Sequence, residues 1–143
     1  MRALLDVNVL IALLDAGHVY HALASAWLAR EIDQGWASCP LTQNGCLRIM
    51  SQSAYPDALP IAQVAERLKQ ATLDKSHQFW FADLNMLDDR YFGWQKLIGH
   101  RQLTDAYLLA LAVKNMGKFV TFDRRISVDM VIGAEQDHLA VIA

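Results

Sequence analysis

The sequence predicts an α/β protein, a mostly parallel central β-sheet flanked by α-helices. Two observations carry that prediction. Short apolar runs alternate with longer helical patterns along the whole chain, and two of those runs end on an aspartate. Strands separated by helices need crossover connections, and crossovers place helices on both faces of a parallel sheet.

The elements follow in order. Ala3-Leu4-Leu5 is a buried strand that stops at Asp6, and Val9 to Leu14 a short helix ended near Gly17. His18 to Asp33 carries Tyr20, Leu23, Trp27, Leu28 and Ile32 at helical spacing, with Gly35 as its stop. Trp36 to Cys39 is a second strand closed by Pro40, and Leu41 to Met50 a helix despite Gly45, which costs about 1 kcal/mol relative to Ala. Ser51 to Pro60 is a loop and Ile61 to Thr72 an amphipathic helix. Phe79-Trp80-Phe81 is a third strand, Asp88 to Leu97 a short helix, and His100 to Met116 a long Ala- and Leu-rich helix capped by Gly117. Phe119 to Phe122 is a strand ending at Asp123, and Leu139 to Ile142 is the last.

The 143 residues suit one domain with a real core, and no linker or repeat divides them. The hydrophobic fraction of 54% argues against disorder and hints at apolar surface buried on a partner or second copy. A net charge of -2 excludes a protein that holds nucleic acid by global positive charge. Cys39 and Cys46 are the only cysteines and form neither a disulfide framework nor a zinc motif, which suits a reducing cytoplasm. Asp6, Asn8 and Asp15 interrupt the apolar N-terminus and no cleavage pattern follows, so a soluble cytoplasmic protein without membrane association is expected.

In parallel sheets ligands bind in the crevice beyond the carboxyl ends of the strands. Asp6 and Asp123 each follow an apolar run, and Asp105 lies after Thr104, a reasonable N-cap, in the first turn of the longest helix. Each alone has an ordinary reading: Asp105 as a helix stabiliser, Asp123 as a turn residue or half of an ion pair with Arg124-Arg125. Asp6 is harder to explain, because an acid within an apolar run needs a partner. Together they converge on one edge. Two carboxylates about 4 Å apart repel by about 4 kcal/mol at an effective dielectric near 20, so a proton or a divalent cation must intervene. An all-oxygen set points to magnesium, with manganese as a substitute. Asn8 is an outer donor at this crevice, an N-cap, or both.

Four segments in this order resemble the PIN-domain ribonucleases, and within them the VapC-type toxins. They are Leu4-Leu5-Asp6-Val7-Asn8-Val9-Leu10, Thr42-Gln43-Asn44-Gly45-Cys46-Leu47-Arg48, Leu103-Thr104-Asp105-Ala106-Tyr107-Leu108 and Phe119-Val120-Thr121-Phe122-Asp123. The resemblance implies a single PIN domain over residues 1–143 that hydrolyses RNA, with tRNA or rRNA as the usual targets. It implies magnesium held by Asp6, Asp105 and Asp123, with Thr121, Asn8 and Gln43 orienting waters or phosphate. It also implies a homodimer neutralised by a VapB-type antitoxin, the toxic half of a type II toxin–antitoxin system. Arg101 and Arg124 flank acidic motifs and are the better phosphate-binding candidates among the basic residues; Lys114 and Lys118 read as ordinary surface.

Gln43, with Asn44 beside it, stands where many members of the family carry the second acid as Glu. An amide can position a water but brings no charge, so the site is one negative charge short. A catalytically impaired PIN domain acting as a protein- or RNA-binding scaffold is therefore the alternative. A magnesium-dependent aspartyl phosphotransferase would use Asp6 as its nucleophile, though it usually wants two acids at that strand exit. No Gly-rich dinucleotide turn follows any predicted strand. The five histidines show no ligand spacing, and most of the four tryptophans read as core.

Overall fold

A computed structural model describes residues Met1–Ala143. Five strands form one sheet: β1 (Ala3–Leu5), β2 (Trp36–Ser38), β3 (His77–Phe79), β4 (Lys118–Thr121) and β5 (Leu139–Val141). The order is β3-β2-β1-β4-β5 and every pairing is parallel. The chain therefore builds outward from β1 to β3, then returns to lay β4 on the opposite side of β1. This reversal leaves a crevice at the carboxyl ends of β1 and β4, where such sheets bind ligands.

Both faces are covered, as the apolar runs require. Leu4 faces a core with α5 (Leu103–Lys114), Trp80, Leu84, Phe92 and Met130. Ala3 and Leu5 face the opposite core, made by α1 (Val7–Leu14), α2 (His21–Glu31), α3 (Pro40–Met50) and α4 (Ile61–Thr72). The alternation is the two-residue period of a strand buried on both sides. Ala106 to Ala112 are all buried, because segments around Leu84–Trp94 and Ile126–Ala134 close over the outer side of α5. A helix apolar all round belongs in such a position.

Glycines explain two close approaches. A Cβ on Gly45 would lie 2.7 Å from Val7 Cγ2, so α1 and α3 pack closely only because residue 45 has no side chain. Gly117 does not supply the left-handed turn that the sequence assigns to it. Met116 takes that conformation, at φ 56°, and closes a Schellman motif with Met116 N donating to the Val113 carbonyl and Gly117 N to that of Ala112. Gly117 is small for another reason: a Cβ there would lie 2.6 Å from both the Arg2 carbonyl and the Trp80 ring.

The structure corrects several boundaries. Pro40 opens α3 at its first position instead of merely closing β2, where its missing N–H costs nothing. The third strand is His77–Phe79, two residues earlier than the aromatic run suggests, because its pairing with β2 places His77 opposite Trp36. No α-helix forms over Asp88–Leu97. Gly93 N donates to the Met130 carbonyl and Ile132 N to that of Tyr91, so this stretch crosses Val128–Ile132 and keeps only a 3-10 turn at Trp94–Lys96. α2 starts at His21, after a turn in which Tyr20 N donates to His18 Nδ1. A 3-10 turn, His100–Gln102, precedes α5, and Gln102 Oε1 accepts from Ile98 N. Thr104 is therefore the second residue of α5 and not its cap. No helix is long and apolar enough to cross a membrane.

Candidate active site

Asp6 leaves β1 at the switch between β1 and β4, and its backbone N–H still donates to the Val120 carbonyl. Its side chain caps α1: Oδ1 accepts from Val7 N at 2.8 Å. Oδ2 accepts from the Thr121 hydroxyl at 2.7 Å, and Thr121 Oγ1 in turn accepts from Asp123 N at 3.1 Å. Thr121 is buried, so one hydroxyl at the end of β4 fixes both strand-end acids. Neutral donors alone hold Asp6, and it has no ion-pair partner.

Asp105 occupies the first turn of α5 and lines a small cavity with Arg101, Gln102, Asp123, Arg125, Ile126 and Met130. It too lacks an ion-pair partner. Burial, then the charges of Asp6 and Asp123, push its carboxyl up from 3.8 to about 6, with Arg125 opposing. Burial likewise raises Asp6; the Thr121 and Val7 bonds restrain the shift and the Asp123 charge adds to it. Asp123 shifts the other way, because Arg125 bonds it through its side chain and its backbone N–H. Three carboxylates thus sense one another at one sheet edge, two of them without a cation. Their oxygens suit a hard divalent ion, although in this arrangement no three acidic, His or Cys groups close into a ready cage. Asp123 is turned onto Arg125, leaving Asp6 and Asp105 as the free pair.

The remaining predicted residues divide. Arg101 lines the same cavity. Arg124 is exposed, with no hydrogen bond or ion pair; Arg125 is the residue that engages the acids. Asn8 is exposed in the first turn of α1, and Asp6, not Asn8, is the cap. Gln43 does not line the cavity that holds Asp105 and Asp123. Its Nε2 donates to Ser38 Oγ at 3.0 Å, and it lines a separate cavity with Leu47, Ala65, Leu68, Lys69 and Thr72. Ser38 Oγ also meets His77 Nε2 at 2.8 Å. Burial lowers the His77 pKa, so the ring is neutral near pH 7. Sequence reasoning missed this cluster, as no motif marks it. Lys114 pairs with Asp83 at the surface, whereas Lys118, read as ordinary surface, is mostly buried in β4, paired with Glu31 and 5.4 Å from the centre of the Trp27 ring.

A parallel sheet with carboxylates gathered at its switch point is the arrangement of an acidic α/β site with oxygen donors that suit a hard cation. The family model described as "PIN domain" matches residues 3–128. The ribonuclease VapC44 of Mycobacterium tuberculosis is 49% identical over 142 residues, covering 99% of this chain and 100% of its own. Ribonuclease VapC39 of the same species is 40% identical over 86% of this chain and 89% of its own. Among solved structures, M. tuberculosis VapC20, described as a sarcin–ricin-loop-cleaving toxin, superposes with a TM-score of 0.62 at 14% identity, covering 93% and 98% of the two chains. VapBC2 from Rickettsia felis gives 0.61 over 87% and 90%; both confirm the fold. The chain belongs to the PIN-domain family, as a VapC-type member.

Proposed function

We propose that this protein is a magnesium-dependent endoribonuclease, the toxin of a type II toxin–antitoxin pair, restrained by a VapB-type antitoxin. The observation that carries the reading is the pair Asp6 and Asp105, two carboxylates with raised pKa values and no cationic partner at the sheet's switch point. Asp6 and Asp105 would hold the ion, and Asp123 would join them on release from Arg125. When bound, magnesium supplies positive charge to the scissile phosphate and lowers the pKa of the attacking water. Thr121 keeps the Asp6 carboxylate in one orientation by donating to Oδ2. Arg125, once freed, and Arg101 stand at the crevice to meet RNA phosphate. RNA as the substrate and an antitoxin as the partner are supported by the names of the VapC ribonucleases and of the VapBC complex that the chain resembles.

The scaffold alternative draws on two observations: Gln43 brings no charge, and the acids do not close into a cage. One assay decides between the readings. Antitoxin-free protein should cut total cellular RNA at discrete positions when magnesium is added, and Asp6→Ala should not. No cleavage across magnesium and manganese titrations would favour the scaffold.

A further inference from the structure

A second, larger cavity of about 540 Å³ adjoins the acidic crevice. The 3-10 turn Val128–Met130 is the partition between them: Met130 lines the crevice, while Val128 and Asp129 line the cavity. The opposite wall is the 3-10 turn Trp94–Lys96, which leads through Gly99 to Arg101 and Gln102 at the crevice. Anything threaded across the acids from this side passes the cavity.

Its lining is chemically mixed. Trp94 is half-buried, and its ring stacks on the buried Phe92 at a centroid distance of 5.5 Å, which fixes the indole as a platform. Neither Asp89 nor Asp129 has a side-chain hydrogen bond or ion pair, and both are exposed. Lys96 stands exposed and unpaired among the lining residues. An aromatic plane, carboxylate acceptors beside it and a cation at the rim match the three parts of a nucleotide: stacked base, base-edge N–H groups and phosphate. Unpaired bases in single-stranded RNA are recognised by stacking on aromatic rings and by hydrogen bonds along their edges.

Resting on the nuclease reading above, we propose that this cavity is a base-binding subsite that takes one unstacked guanine of the RNA substrate. Guanine offers two adjacent N–H donors on one edge, which a single carboxylate accepts with both oxygens. The base stacks on Trp94, Asp129 or Asp89 accepts from its edge, and Lys96 meets the neighbouring phosphate. The subsite sets which nucleotide lies beside the acids and so contributes to where the strand is cut.

The test measures binding without cleavage. Full-length, antitoxin-free protein in EDTA is titrated with two fluorescent single-stranded probes, a uridine hexamer and the same hexamer with one central guanosine. The guanosine probe should bind more tightly. Trp94→Ala should weaken it about tenfold, within the range that stacking on an aromatic ring contributes, and Trp94→Phe should restore most of that. Asp89→Asn with Asp129→Asn should erase the guanosine preference while leaving the uridine hexamer bound at least as tightly. If Trp94→Ala fails to fold, the double asparagine variant still reads the preference, since it removes no packing. Equal affinity for the two probes, or a preference untouched by these variants, overturns the subsite while leaving the nuclease intact. Variants that release co-expressed antitoxin yet bind both probes normally overturn it in favour of a protein interface. A guanosine preference lost with Trp94 in a protein that cuts no RNA sustains the subsite and removes the nuclease reading.

Discussion

Two polar clusters lie against the same sheet, and they differ in how their groups are satisfied. Around Ser38, Gln43 and His77 every group is neutral and bonded: the amide donates to the hydroxyl, the hydroxyl meets the imidazole, and the ring packs 4.5 Å from Trp36. Around Asp6, Asp105 and Asp123 the hydrogen bonds are equally complete for Asp6, yet the charges are not balanced. The one bonded arginine, Arg125, is taken by Asp123, and the other two carboxyls sit above their ordinary pKa. No buried side-chain polar atom in the molecule lacks a hydrogen-bond partner. The frustration at the crevice is therefore one of charge, not of missing bonds, and a bound cation would remove it. A satisfied cluster holds a fold together; an unbalanced one is poised to bind.

The sharpest way to break this contrast is to change charge and read activity. Asp6→Asn and Asp105→Asn should each reduce RNA cleavage to background, because each removes one of the two free carboxylates. Their stabilities should respond in the opposite direction. Asp105→Asn removes repulsion from Asp6 and Asp123, so its metal-free melting temperature should equal or exceed that of wild type. A calorimetric scan in EDTA checks this.

Thr121→Val comes next. It deletes the donor to Asp6 and the acceptor for Asp123 N, and leaving such a group unpaired costs about 1–3 kcal/mol. Residues that orient a metal ligand commonly account for about 10–100-fold in metal affinity or activity. Denaturant melts and cleavage rates should show both losses. Gly45→Ala should be destabilising by about 1–3 kcal/mol, the usual cost of overpacking, since its new methyl would meet Val7. Its melting temperature should fall, with the RNA cleavage pattern unchanged in the folded fraction.

The neutral cluster should give the smallest effects. Ser38→Ala should cost about 1 kcal/mol through its two hydrogen bonds, without altering cleavage positions. Gln43→Glu should leave magnesium dependence nearly unchanged, because the residue 43 side chain is engaged by Ser38. A large gain in activity would show instead that residue 43 reaches the site.

The comparison also shows what a sequence can carry. Asp6 and Asp123 were legible because an acid ending an apolar run is physically conspicuous, and strand alternation placed both at one edge. Asp105 was legible once a helix start was assigned beside it. Gln43 was legible as a position but not as a direction: its helical segment is clear, whereas the face it turns toward depends on how α3 sits between α1 and α4. Arg125 rather than Arg124 engages the acids because the backbone turns tightly after Asp123, with Arg125 N donating to Oδ1, a detail that two adjacent arginines do not reveal. The stretch from Asp88 to Leu97 has helical composition, but bonds to Val128–Ile132, more than 30 residues away, override it. Gly117 invited a cap assignment that tertiary packing against Trp80 explains better.

At the site formed by Asp6 and Asp105, a divalent cation should balance the charge. The sign of its pH dependence is fixed by Asp105. The unfolded chain loses that proton near 3.8 and the folded protein keeps it to about 6. Metal-free stability should therefore fall as pH rises from about 4 to 6, then stay low. The most direct measurement is the melting temperature with and without magnesium at pH 7.5 and pH 4.5, for wild type and Asp105→Asn. Saturation at about 100 times the dissociation constant adds about 2.7 kcal/mol, which is several degrees for a domain of this size. A rise in wild type at pH 7.5, absent at pH 4.5 and absent in Asp105→Asn, is the predicted result. An equal rise in both proteins, or none in wild type at pH 7.5, would contradict it.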